Sequence, residues 1–343
     1  MARLDSLTSL RWFAALAVFA RHSIRHDGVM ARLVPQGATA VSFFFILSGF
    51  VLAWSYRSGD GAGGFYRRRL ARIYPAYLVA VGVGLVVADT ITGWWPTPSA
   101  LAAVISLVQA WSTDATVHYA VSPPLWSLSC EAFFYLLFPL LIGPLLRLHT
   151  RPRAVLLGLL VVVTWVVAVL SGSTEETGVG FWVIYIFPVT RLAEFLIGIL
   201  IALAVRDGYR SPVPLRAALL LVASAYLLAG WVPLHLMWVA TTVVPFALLV
   251  ATAATADLQG AASWLRASPL VRLGTWSYAF YLIHGSVLRL RGEYFRGHSV
   301  GVNAAVALVA TLAAAALIHH LIEGPLEARL RGSRAAIRPT VVD

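Results

Sequence analysis

Ala38-Thr39-Ala40-Val41-Ser42-Phe43-Phe44-Phe45-Ile46-Leu47-Ser48-Gly49-Phe50-Val51-Leu52-Ala53-Trp54-Ser55-Tyr56 runs without a charged residue until Arg57 closes it. A helix needs about 20 largely apolar residues to cross the hydrocarbon core of a bilayer. Nothing in that core hydrogen-bonds bare backbone, so such a stretch must be a helix and not a lone strand. Working outward, comparable runs occur near 10–27, 72–91, 125–146, 153–171, 181–205, 215–232, 235–255, 272–291 and 301–323. The expected fold is all-α: a polytopic membrane helical bundle with about ten transmembrane helices and both termini cytoplasmic. Residues 1–328 form the membrane domain and 329–343 a basic cytoplasmic tail. The run Leu101–Trp111 is too short to cross and is expected to be re-entrant or interfacial.

Composition agrees. With 59% hydrophobic and 12% charged residues and a mean hydropathy of +0.80, no sizeable aqueous domain fits in 343 residues. The net charge of +11 comes from Arg alone, placed between apolar runs, which marks the cytoplasmic side of a membrane protein and not a nucleic-acid binder. Ten crossings put nineteen Arg inside, against six outside and Arg191 within a span; an eleventh crossing at 101–111 would move the Arg147–Arg153 cluster outside. The expected location is the cell (inner) membrane. The run Trp12–Ala20 is broken by Arg21 and His22 without a cleavage site, so it reads as a retained first span. One cysteine, Cys130, makes no intrachain disulfide and reads as packing. Loop 57–71 is Gly-rich and then strongly basic.

Ionisable groups inside spans cost roughly 2.5–3.5 kcal/mol each at the centre of an inserted helix, so each one needs a reason. Arg11 and His22 stand eleven residues apart, three helical turns or about 16 Å, on one face. Arg11 reads as a snorkelling anchor or as a functional cation; His22 reads as a packed histidine or as a base. Ser127, Glu131 and Tyr135 recur at i, i+4 and i+8 and form a polar stripe turned to the interior. Arg191 and Glu194, at i and i+3, are expected to pair, with architecture favoured over chemistry. Ser277, Tyr281 and His284 share a face. Arg67, Arg68, Arg69 and Arg72 satisfy the positive-inside rule and also suit phosphate binding. Glu323 reads as interfacial. The histidines show no metal-site spacing, and no metal is expected.

Several of these stretches resemble one family. Ser6-Leu7-Thr8-Ser9-Leu10-Arg11 with His22, Phe44 to Phe50, Arg69-Leu70-Ala71-Arg72-Ile73-Tyr74-Pro75, Trp126 to Glu131, Arg191 to Gly198, Leu273 to His284 and Glu323-Gly324-Pro325 are similar, in order, to the motifs of the bacterial acyltransferase-3 family. One departure is that Leu4-Asp5 stands farther from Arg11 than the family's Leu-Asp does, so Asp5 receives no role. The chain shows no appended esterase-like domain, and its wording around Leu7–Ala14 resembles members that acylate sugars on macrolides.

That resemblance implies membrane-bound O-acyl transfer from acyl-CoA, as acetyl-CoA or another short acyl-CoA, to a hydroxyl of a sugar or macrolide acceptor. Carried over, Arg11 and His22 are the essential pair, and Arg69 and Arg72, with Arg68 beside them, serve the donor. The expected mechanism has neutral His22 deprotonate the acceptor, oriented by Glu131, while Arg11 steadies the donor or the developing charge. Arg191, Glu194, Ser277, Tyr281 and His284 are expected to bind substrate or to serve as structural polar groups. The partners are the lipid bilayer, the donor and the acceptor; direct transfer and an acyl-histidine both stay open. The rival is a carrier or flippase, which would show inverted repeats and paired broken helices.

Overall fold

The structure, a computed structural model, describes residues 3–23, 35–57, 59, 61–294, 300–326 and 329. The basic tail beyond Arg329 lies outside the described residues. Among these residues there are helices and no strands. The long ones are α1 (Asp5–Ser23), α2 (Ala40–Ser55), α3 (Ala62–Thr92), α4 (Trp126–Arg147), α5 (Thr150–Ser171), α6 (Pro188–Arg206), α7 (Leu215–Ala229), α8 (Ala240–Leu258), α9 (Ser268–Tyr294) and α10 (Val300–Ile318). Seven of them, α2 to α6, α8 and α10, are long and apolar enough to cross a membrane, some with short helical extensions. Of the other three, α7 has only 15 residues. Helices α1 and α9 carry Arg11, Arg21, Arg272, Arg289 and Arg291 within their length.

Hydropathy and burial run in opposite directions, as they do when lipid is the solvent. The most apolar window, in α5 at mean hydropathy 2.7, is only 11% buried within the protein, whereas that of α2, at 1.8, is 78% buried. The peripheral helices therefore meet lipid, and the polar helices α1 and α9 pack on each other inside the bundle. They run parallel: Gly274 abuts Thr8, Phe280 meets Trp12 and Phe19, and Arg291 reaches the carbonyl of Ser23. Helices α2 and α6 are parallel too, with Arg191 at Ser42, Gly198 at Ile46 and Arg206 at Ala53. Both senses are those that ten successive crossings require.

The α2–α6 contact is backbone against backbone. A Cβ on Gly49 would lie 1.9 Å from the Phe195 carbonyl oxygen, and one on Gly198 would lie 1.9 Å from that of Ile46. Small residues permit this approach where lipid supplies no hydrophobic drive between helices. Gly198→Val is expected to force the two helices apart and abolish the monodisperse, detergent-extracted peak in size-exclusion chromatography. Gly143→Val, where nothing lies within 4 Å, is expected to leave that peak intact.

Two boundaries differ from expectation. The first helix begins at Asp5 and not near residue 10, because the Asp257 carboxylate takes the backbone N–H and hydroxyl of Ser6 at 2.8 and 2.6 Å and caps the helix start. The basic loop expected over 57–71 is helical from Ala62 onward, since Arg, Leu and Ala propagate a helix once Gly61 has opened it. Arg69 and Arg72 therefore sit one turn apart on a rigid face.

The segment at 98–125 is re-entrant. Tyr74 and Tyr77 of α3 donate to the carbonyls of Ile105 and Val104 at 3.0 and 2.8 Å, some 15 residues below the helix end at Thr92. Buried Gln109 donates to Tyr77 and to the Leu125 carbonyl, so the non-helical backbone is satisfied by protein and not by lipid.

Candidate active site

At the basic end of the bundle, the expected stripe on α4 becomes the wall of a chamber of about 100 Å³. Ser127, Glu131 and Tyr135 all line it, joined by Arg11 from α1, Ser48 from α2, Arg69 and Arg72 from α3, and Ser277, Tyr278 and Tyr281 from α9. Tyr135 donates to Glu131 Oε1 at 3.0 Å and meets Ser48 Oγ at 3.3 Å. Arg11 faces both Arg72 and Glu131, so three guanidinium groups share the chamber with one carboxylate. That balance favours an anionic guest. Leu52 and Arg69 also line a wider cavity of about 400 Å³ toward the α2–α3 connection, with Arg68 on its wall.

His22 stands at the opposite end of α1, three turns beyond Arg11, and is not part of the chamber wall. Both residues face α9, as their spacing requires. His22 Nδ1 lies 2.9 Å from His284 Nε2. The rings are within 16° of parallel with centroids 5.2 Å apart, which is the spacing of an in-plane N–H···N bond and not of face-to-face stacking. His284 Nδ1 lies 2.6 Å from the Tyr281 carbonyl oxygen.

These contacts assign the protons. A carbonyl oxygen only accepts, so His284 carries a proton on Nδ1; with both rings neutral, its Nε2 accepts from His22 Nδ1. Neutral His22 is thereby left with a lone pair on Nε2. An imidazole held in one tautomer by a second residue has the geometry that a carboxylate imposes on histidine in other acyl-transfer sites. The orienting group is His284. Glu131, expected to orient His22, is instead engaged by Tyr135 beside the arginines.

Tyr281 joins the two halves of the site. Its ring borders the chamber, its hydroxyl meets Ser127 Oγ at 2.9 Å and the Pro124 carbonyl at 3.1 Å, and its own carbonyl fixes His284. Beyond the histidines, Arg21 pairs with Glu176 at 2.6 Å and covers the Trp238 ring at 5.4 Å.

The remaining expected residues fall elsewhere. Arg191 and Glu194 pair at 3.1 Å as anticipated, each 1% exposed, but they line neither cavity. Arg191 also donates to Ser42 and lies over Phe45 and Tyr185. Cys130 is buried against the Ile186 carbonyl. Among the described residues, no three His, Cys, Asp or Glu side chains gather as a metal site.

Glu323, read as interfacial, has neighbours that the sequence did not show. A π-helical turn at His319–Glu323 shifts its register, holds it to His319 at 2.9 Å and brings its charge to bear on Arg11 and Tyr278. Its position directly before Gly324-Pro325 was the available signal.

Comparisons with known proteins identify the family. The acyltransferase MdmB of Streptomyces mycarofaciens is 37% identical, over 98% of this chain and 95% of its own length. The O-acetyltransferase OatA of Staphylococcus aureus (strain NCTC 8325 / PS 47) is 24% identical over 97% of this chain, which spans 58% of that protein. Nodulation protein 10 of Rhizobium leguminosarum bv. viciae is 28% identical over 53% of this chain and 58% of its own. No solved structure matches. The acyltransferase-3 profile, described as an acyltransferase domain, matches residues 4–320. The chain therefore belongs to the acyltransferase-3 family of multi-pass membrane acyltransferases.

Proposed function

We propose that the protein transfers a short acyl group from acyl-CoA, entering at the basic cytoplasmic end, to a hydroxyl of a sugar or macrolide acceptor at the His22 end. One observation carries this most: Arg11, Arg69 and Arg72 converge with Glu131 on a chamber whose far wall, Tyr281, holds the His284–His22 pair. Such a chamber suits the anionic carrier of a thioester, and the pair suits proton removal from an alcohol. The acceptor class rests on the resemblance to macrolide-acylating members and on 37% identity with an acyltransferase of nearly equal length.

His22 Nε2 takes the acceptor's hydroxyl proton as the oxygen attacks the thioester carbonyl. A carbon–oxygen bond forms and the carbon–sulfur bond breaks. The proton on His22 then passes to the departing CoA thiolate, leaving an ester, CoA-SH and neutral His22. Charge on the imidazolium spreads through His284 to the Tyr281 carbonyl. Arg69 and Arg72 hold donor phosphates, and Arg11, on the same chamber wall and three turns from His22, steadies the anionic donor.

The test is incubation of the purified protein with acetyl-CoA labelled in its acyl group and a panel of glycosides and macrolides. Label recovered as an acceptor ester, with one CoA thiol released per ester, is the expected result. Unmodified solute accumulating in sealed vesicles would establish the carrier instead.

His284 acts through His22, so its substitutions sort by hydrogen-bond chemistry. His284→Gln offers an N–H to the Tyr281 carbonyl and an oxygen to His22 Nδ1, whereas His284→Phe offers neither. Turnover is expected to fall roughly tenfold in the first and a hundredfold or more in the second, with KM for the donor unchanged. Equal losses in both variants would mean that His284 only fills space.

A further inference from the structure

The wider cavity at the basic end has a construction that the chamber behind it lacks. It is about fourfold larger, at roughly 400 against 100 Å³, and the two meet at Leu52 and Arg69. Wide outside and narrow within, the pair suits a ligand with a bulky head and a slender arm. One wall is aromatic: Phe65 and Phe138 lie 5.2 Å apart and within 21° of parallel, with Tyr56 edge-on to Phe138 at 6.0 Å. The other wall is cationic, with Arg57 and Arg68, while Arg69 stands at the neck. No carboxylate is found among the described lining residues.

The neck is poised for an anion. Arg69 lies over the Phe65 ring at 5.7 Å, and its Nε has no hydrogen-bond partner among the described residues. Ala62, in the first turn of the 31-residue α3, also borders the cavity, so the positive end of the helix adds to the field. Arg206 fixes the opposite rim by donating to the carbonyls of Ala53 and Tyr56.

We propose that this cavity is the nucleotide subsite of the donor, with a 3′-phosphate on Arg57 and Arg68, the adenine against the Phe65–Phe138 wall and the diphosphate at Arg69. The pantetheine arm then runs through the neck into the chamber. The assignment rests on the acyl-CoA reading above and adds to it which part of the donor sets affinity. It makes the 3′-phosphate a recognition element remote from the reacting carbonyl. An anionic lipid headgroup offers the same phosphate chemistry, and the test separates the two.

The full chain in phosphatidylcholine nanodiscs is titrated with CoA and with dephospho-CoA, which lacks only the 3′-phosphate. The wild-type protein is expected to prefer CoA by roughly tenfold or more, the weight of one or two charge-assisted hydrogen bonds. Arg57→Ala with Arg68→Ala is expected to erase that preference while dephospho-CoA binds as before, which also shows the variant to be folded. A preference surviving in the double variant, or absent from the wild type, overturns the subsite. Failure of the wild type to bind either compound removes the donor reading itself. Repeating the titration with phosphatidylglycerol in the nanodisc should leave the preference in place; its disappearance would make a lipid headgroup the occupant and overturn the assignment.

Discussion

His22→Ala is expected to lower turnover by about 10²–10⁴-fold, the usual contribution of a positioned acid–base group. Donor binding should be unchanged, because Arg11, which lines the chamber with Arg69 and Arg72, lies about 16 Å from His22 along α1. The hydrogen-bond chain explains the size of the effect. Tyr281 fixes His284, His284 fixes the tautomer of His22, and Ala removes the imidazole at the end of this hydrogen-bond chain. Arg69→Ala should show the reverse pattern, with donor KM raised roughly tenfold or more and turnover at saturation less affected. Rates measured at saturating and limiting donor separate the two. Unchanged turnover in His22→Ala would remove the base from the mechanism.

Glu194→Ala is expected to be among the most damaging single substitutions for folding. Arg191 and Glu194 are each 1% exposed and lie 3.1 Å apart, and the remaining polar neighbour of Arg191 is Ser42. Removing the carboxylate strands a guanidinium inside the bundle, a loss of roughly 3–5 kcal/mol for breaking one partner of a buried pair. Apolar replacement of both partners is often neutral, so Arg191→Met with Glu194→Met should recover much of that loss. Thermal unfolding midpoints in a single detergent give the comparison. Recovery of folding together with activity would establish the pair as architecture; recovery of folding without activity would give it a part in the reaction.

Much of this was legible in local sequence, for physical reasons. Lipid demands long apolar helices, so α2 to α6 announce themselves by length and hydropathy. Helical periodicity placed Ser127, Glu131 and Tyr135 on one face, paired Arg191 with Glu194, and aligned Arg11 with His22 toward α9. The shortness of Leu101–Trp111 marked it as re-entrant or interfacial, and it folds back along α3 as far as Tyr74. What stayed hidden depends on contacts distant in the chain. The start of α1 at Asp5 is set by Asp257, 251 residues on from Ser6, and His22 meets a partner 262 residues away. A sequence pattern cannot report that α1 and α9 run parallel in contact, so Glu131, the nearest carboxylate in a motif, took the orienting role that His284 holds. Glu323 was read as interfacial, and its partner His319, held by a π turn, was not anticipated.

The division of the site into an arginine-lined chamber and a histidine pair, with Tyr281 between, gives the mechanism a geometric requirement. The hydroxyl contacts of Tyr281 to Ser127 and Pro124 hold its ring in the chamber wall, while its carbonyl holds His284. On the proposed mechanism, a thioester held by the arginines has to extend past this ring to meet His22.

A structure with a non-hydrolysable acyl-CoA analogue and an acceptor alcohol bound tests the account most directly. The account predicts the acyl carbon beyond Tyr281, with the acceptor oxygen in hydrogen-bond reach of His22 Nε2 and about 3–3.5 Å from that carbon. An acyl carbon resting beside Glu131, with the Tyr281–Ser127 contact closed and His22 still a chamber's length away, would contradict it.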